Sequence, residues 1–519
     1  MEQIQVNDPY YTTHKQDYYS TVQLKLPVDI SYSIEEDDPV RTFMEVMGGI
    51  NLRRFFKRPR RGREGYNDTI LLKIVLFAYM ENIRSLRLIE KACKTDIRFM
   101  WLSGGLKPSH MAFQRFISDR LIAEIDLIFY EVIQHLIEKD SINTDVLYID
   151  GTKFEANAHK FTFVWKRAIL NYQSNLYTKI TKEIQSINTL ECFNYDIKSA
   201  YSAADLEPIY RDLVFHCLKH DIKFVYGKGT RKSVYQRHYD LIKSYADKLV
   251  EYEEHLRICG ERNSYSKIDH DATFMHGKED YYNKTGIFKP YYNVQIGVSD
   301  EYIMHVGVYQ NPTDTKTWIP FFESYKEHFD TLPTKPVADA GYGSYDNYLY
   351  CVENGMELYM KYNLYSKEKE SQYKKRKYTY KNMEHDHETI TSKDGLVYIY
   401  SHDTMSTKTD YPCLTQIFKL KDEYMDIRED VKAPKTISYN PILMELQQEA
   451  KRNLDSDEGI DLRTKRSIQV EGAFGDIKNN MEYRRIQRRG IKNVENEIYL
   501  ICIGFNLRKF HNKRYRKLN

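Results

Sequence analysis

The sequence predicts an α/β core preceded by an all-α domain and interrupted by two insertions. Three observations carry that expectation. The apolar run Val146-Leu147-Tyr148-Ile149 breaks on Asp150-Gly151-Thr152, as a buried strand does where it ends at a site. Pro336-Val337-Ala338 breaks the same way on Asp339-Ala340-Gly341. The stretches before and between the strand-like segments carry helical period and helix caps. In an α/β sheet, ligands gather beyond strand C-termini, so both aspartates stand where a metal could be held. Taken singly, each reads equally well as a loop cap or turn former.

The chain has 519 residues, room for roughly two to four domains with sizeable cores. Its 77 Lys and Arg against 74 Asp and Glu leave a net charge of +3, so no global field advertises nucleic acid. Local clustering must carry that case. The seven cysteines are scattered and never form C-x-x-C, which excludes a disulfide framework or zinc ribbon by spacing and suits a reducing cytosol. No secretory pattern opens the chain. The longest apolar runs, 70–80 and 498–507, are too short to span a bilayer and are interrupted by Lys73 and Asn506. A cytoplasmic protein is expected.

In chain order, residues 1–40 read as a polar arm and 41–140 as a helical domain. Within it, Arg53, Arg54, Lys57, Arg58, Arg60, Arg61 and Arg63 crowd together with Phe55 and Phe56, while Pro59 and Gly62 rule out a regular helix. Such an arm suits phosphate or minor-groove contact, and it also fits a solvated charge run. Helices follow at about 69–82, 86–94 and 110–121, capped by Asn67, Ser85 and Ser109. This is a helix-turn-helix-like pattern whose third helix offers Gln114 and Arg115, types that read base edges. An ordinary helical bundle has the same pattern. A further helix, about 122–138, leads into the opening strand.

The core is expected from three segments, 141–159, 264–365 and 463–519. A charged, helix-like insertion fills 160–263. Tyr292-Asn293-Val294-Gln295-Ile296-Gly297-Val298 and Tyr302-Ile303-Met304-His305-Val306-Gly307-Val308 flank Asp300-Glu301 as a β-hairpin. A helix at about 315–329 and a strand at 356–362 come next. Residues 366–462 form the second insertion, with two strands expected at 397–400 and 415–420 and a helix from Pro441. The segment 463–480 is helical in pattern and holds Arg466, Glu471 and Lys478. Arg484, Arg485, Arg488 and Arg489 form a basic turn before the closing helix, about 494–511.

Asp150, Asp339 and Glu471 are the acids that stand out. Glu471 and Lys478 are seven apart, within about 20° on one helix face. Carboxylates from separate elements can hold two divalent ions that activate an attacking oxygen and stabilise a leaving oxygen. Lys478 and the nearby arginines would hold a DNA backbone. By spacing alone, salt-bridge or capping roles account for each acid as well.

Several motifs agree at once with a known family. Tyr148-Ile149-Asp150-Gly151-Thr152-Lys153 with Glu155-Ala156-Asn157, Ala338-Asp339-Ala340-Gly341-Tyr342, and the run Arg466 to Lys478 around Val470-Glu471-Gly472 resemble bacterial DDE insertion-sequence transposases. Asp271-Ala272-Thr273, Lys289-Pro290 with Tyr292-Asn293-Val294-Gln295, and the helical region from Phe43 to Leu121 are similar to the same group. The resemblance implies an RNase H-like mixed sheet flanked by helices, with Asp150, Asp339 and Glu471 binding two Mg²⁺ or Mn²⁺ ions. It implies recognition of terminal inverted repeats, strand cleavage by water, and joining of the 3′-hydroxyl to target DNA, with a homodimer pairing two ends. The late helix of the wider class places an Arg four before the Glu and a Lys seven after it. Lys478 matches, whereas Arg466 stands five before Glu471. Many close relatives carry a cysteine cluster in the second insertion, where this chain has only Cys413, so no zinc site is carried over. The alternatives are a transposase-derived DNA-binding protein that does not cut, and an RNase H-like nuclease without strand transfer.

Overall fold

The computed structural model describes residues 30–56, 65–277 apart from 191, 228 and 230, and 287–516 apart from 387. The chain divides into two compact units, one of 1–154, 293–309 and 313–519, the other of 155–292 and 310–312. The fold is mixed α/β with a helical N-terminal region, consistent with an RNase H-like core.

In the first unit, local chemistry starts the N-terminal helices. Asp38 accepts from the Val40 N–H ahead of Pro39–Gly48, with Pro39 supplying a preset φ at the first turn. Asn67 caps Asp68–Met80, and Ser109 caps His110–Arg115 through the Ala112 N–H. The expected third helix is thus cut short: after Arg115 the chain continues through a π-turn, Phe116–Arg120, and a 3₁₀ turn, Leu121–Ala123. Asp68–Met80 is apolar nearly all round because it is surrounded, with Ile491–Arg516 packed along it. Ile491–Arg516 also packs on Ile125–Asp140 and on the sheet, so the closing helix is the centre of this unit's core.

The sheet of this unit has β1 (Val146–Glu155), β2 (Phe288–Ser299), β3 (Tyr302–Tyr309), β4 (Lys335–Ala338) and β5 (Tyr359–Met360), in the order β3-β2-β1-β4-β5. β2 and β3 are the expected hairpin, antiparallel from Asn293↔Tyr309 to Ser299↔Tyr302, with Asp300 and Glu301 both at positive φ in the turn. β1 and β4 are parallel, pairing Tyr148 with Val337, and β4 and β5 are parallel in turn. The 366–462 stretch holds a separate five-stranded antiparallel sheet around Ile390, Tyr398, Phe418 and Ile437. The sequence pattern displays only two of those strands, since Glu384–His385, Thr389–Thr391 and Thr436–Tyr439 are too short to show a period of two.

The second unit is built on three helices, Lys166–Asn188, Ala203–Lys219 and Val234–Cys259, which bury Leu176, Ile180, Leu206, Leu213, Ile242 and Leu249 among them. Ser202 and Asp205 form a reciprocal capping box at the second helix. Thr273–His276 pairs antiparallel with residues 288–291 at the start of β2. All seven cysteines are free thiols. Among the described residues, no helix is long and apolar enough to cross a membrane.

Candidate active site

The β1–β4 register places the first two acids. Tyr148 lies opposite Val337, so Asp150 and Asp339, each two residues further on, are level in the register; β1 does not end at Asp150, as the sequence suggests, but runs on to Glu155, whereas β4 ends at Ala338. Asp150 Oδ1 accepts from the Gly151 N–H at 2.8 Å, and Asp339 Oδ1 accepts from the Gly341 N–H at 2.7 Å. Burial raises the Asp150 carboxyl above the usual carboxylate range, the Arg466 guanidinium opposes that rise, and the Asp339 charge adds to it.

Arg466 Nη1 donates to Asp150 Oδ2 at 3.0 Å, and its Nη2 lies 4.0 Å from Glu471 Oε1. The five-residue spacing that departs from the wider class is matched by a departure in the helix. Ser467–Glu471 is a π-turn between the α-helical segments Asp457–Arg466 and Gly472–Gly475. In a π-turn the repeat is i to i+5, so Arg466 faces the way a residue four before Glu471 faces in an α-helix. Glu471 itself is 63 % exposed. A second π-turn, Asp476–Asn480, carries Lys478. Lys478 Nζ donates to Thr152 Oγ1 at 2.6 Å and to the Lys153 carbonyl at 3.1 Å, and lies 4.7 Å from the Phe154 ring centroid. The late helix is therefore fastened to β1 on either side of Glu471, through Asp150 and through Thr152.

Sequence reasoning passed over Asp314, Asn293 and Gln295. Asn293 Nδ2 and Gln295 Nε2 each donate to Asp314 Oδ1 at 2.8 Å. Gln295 Oε1 accepts from the Tyr342 hydroxyl, four residues past the end of β4. Burial, then the charges of Asp314, Asp150 and Asp339, push that hydroxyl well above the ordinary tyrosine range. A Cβ at Gly151 would meet Gln295 Nε2 at 2.1 Å and Asp314 Oδ1 at 2.8 Å, and one at Gly341 would meet Asp339 Oδ1 at 3.0 Å and Asp314 Oδ2 at 3.5 Å. Gly151 is thus required by the Gln295 amide and the Asp314 carboxylate beside it. A signal did exist: two amides at alternate positions of a buried strand point to one face. Lys361, just past β5, is a further cation here; burial and then Arg466 and Arg463 lower its pKa, while Asp339 raises it.

The other candidates lie elsewhere. Lys57, Arg58, Arg60, Arg61 and Arg63 are outside the described residues. Arg54 is half-exposed and ion-paired with Glu131, and the charge of Arg53 is felt by Lys73. Gln114 donates to Ser118 Oγ at 2.7 Å, and Arg115 is exposed. Arg484 donates to the Lys478 carbonyl at 3.2 Å and to Asn479 Oδ1 at 3.1 Å, which sets the basic turn beside the late helix. Arg484, Arg485 and Arg489 are exposed and Arg488 is half-buried. Among the described residues, no group of three or more His, Cys, Asp or Glu side chains is drawn together tightly enough to hold a metal ion.

A family model described as Transposase DDE domain matches residues 426–511, and one described as Transposase domain (DUF772) matches 28–119. The first match takes in Arg466, Glu471, Lys478 and the basic turn; the second takes in the helical N-terminal region. No curated protein matches the chain. Both matches indicate a DDE-type insertion-sequence transposase.

Proposed function

We propose that the protein binds the terminal inverted repeats of an insertion sequence, cleaves the DNA there by divalent-metal-dependent hydrolysis, and joins the freed 3′-hydroxyl to target DNA. The observation that carries this reading is the level placement of Asp150, within β1, and Asp339, just past β4, with the helix bearing Arg466, Glu471 and Lys478 fastened beside them.

The side chains assigned there are carboxylates, whose oxygens suit Mg²⁺ or Mn²⁺. Asp150, Asp339 and Glu471 are assigned as the residues that hold two ions. When bound, such ions activate an attacking water and stabilise the leaving oxygen of a phosphodiester. The chain's own residues do the positioning. Arg466 orients Asp150 and offsets the mutual repulsion of the acids; Lys478 keeps the late helix on β1 and adds positive charge beside them. Arg53, Arg54, Lys57, Arg58, Arg60, Arg61 and Arg63, with Arg484, Arg485, Arg488 and Arg489, are assigned to backbone phosphates, and Gln114 and Arg115 to base edges. Joining two ends implies a homodimer on DNA, working in the cytoplasm at the nucleoid.

The test is cleavage of a labelled duplex carrying the inverted repeat that flanks the gene. Wild-type protein should nick it with Mg²⁺ and not with chelator. Asp150→Asn, Asp339→Asn and Glu471→Gln should each abolish cleavage and keep DNA binding. Full activity in any of them removes that residue from the site. Binding without cleavage by the wild type would favour the non-cutting alternative, and cleavage without joining would favour the nuclease.

A further inference from the structure

Asp314 is a fourth acid, beside Gly151 and Gly341, and its hydrogen bonds give it a specific place. Its Oδ1 accepts from the amides of Asn293 and Gln295, both at 2.8 Å, and these two amides are themselves joined at 3.0 Å from Gln295 Nε2 to Asn293 Oδ1. Asn293 and Gln295 are almost wholly buried, so their donors have no water to fall back on. Gln295 then holds the Tyr342 hydroxyl through its Oε1. Thr315, next in sequence to Asp314, donates from Oγ1 to the Gly341 carbonyl at 2.9 Å, and Asn347 Nδ2 ties the Thr315 and Tyr342 carbonyls at 2.9 and 2.7 Å. Through Gly151 the network sits against β1 just past Asp150; through Gly341 and Tyr342 it holds the turn after Asp339.

We propose that Asp314 is a positioning residue: by accepting from Asn293 and Gln295 beside Gly151 and Gly341, it fixes the β1 backbone just past Asp150 and the turn after Asp339, and so aims the two acids. This rests on the reading of those aspartates as metal-holding residues. Its action is as an acceptor, so an asparagine, whose carbonyl can take the same two N–H groups, should substitute where alanine cannot.

The experiment is Mn²⁺ binding to the full-length protein without DNA, followed by the paramagnetic signal of free Mn²⁺, with circular dichroism to confirm the fold. Asp314→Ala should weaken Mn²⁺ binding about tenfold or more, the scale on which removing a partner of metal-holding residues acts. Tyr342→Phe, which breaks the same network without touching an acid, should weaken it in the same direction, and it carries the test should Asp314→Ala fail to fold. Asp314→Asn should stay within a few-fold of wild type. Wild-type affinity in both Asp314→Ala and Tyr342→Phe, or an Asp314→Asn as weak as Asp314→Ala, would overturn the proposal. Asp339→Asn separates the two levels: if it also binds as wild type, the metal reading itself fails, and if it alone loses Mn²⁺, only the role of Asp314 does.

Discussion

Arg466 Nη1 lies 3.0 Å from Asp150 Oδ2 although 316 residues separate them in the chain. The contact depends on a helix that is over-full by one residue between Arg466 and Glu471. It joins the middle of β1 to the late helix and puts a partly buried cation between two acids.

That geometry predicts a pH effect. In the proposed role Asp150 acts as the carboxylate, and burial raises its pKa, so activity should be lost as pH falls and earlier than for an ordinary aspartate. Arg466 holds that value down. Arg466→Ala should therefore move the acid limb of the cleavage profile to higher pH, and an unmoved limb in kcat/KM against pH would show that the pair is not felt by the reaction.

The π-turn makes a second prediction. Deleting the exposed Ile468 leaves Arg466 and Glu471 four apart, the α-helical equivalent of the present arrangement, and should preserve measurable cleavage. Inserting one alanine after Ile468 should abolish it. Equal loss in both variants, with helix content kept by circular dichroism, would mean that the spacing does not matter in this way.

Glu497 predicts a stability effect at the basic turn. It is buried in the closing helix and accepts from the Gln487 and Arg488 N–H groups at 3.0 and 2.9 Å. Glu497→Ala strands those donors and should cost about 2 kcal/mol, read from the urea midpoint. A shift under a few tenths would show that water replaces the carboxylate.

For the DNA interface, replacing Arg484, Arg485 and Arg489 by alanine should flatten the slope of log K against log salt by about 0.9 for each phosphate that is no longer neutralised. Neutralising Arg58, Arg60 and Arg61 should act the same way. An unchanged slope removes the segment concerned from the DNA backbone. Alanine at Gln114 and Arg115 should instead reduce the preference for the inverted repeat over random DNA.

What the sequence determined by itself was local. Apolar runs that break on an aspartate with glycine close behind marked β1 and β4, although only β4 ends at its aspartate, and Asn67 and Ser109 marked helix starts that they cap. These follow from periods of two and 3.6 read over about ten residues. The tertiary structure decided the rest. Register between β1 and β4 made Asp150 and Asp339 level, and a π-turn brought Arg466 to Asp150 against the expected spacing. Packing set Asp314, from a 3₁₀ turn, beside Gly151 and Gly341. Register, helix over-filling and the meeting of loops are set by contacts between residues far apart in the chain, and no local period records them.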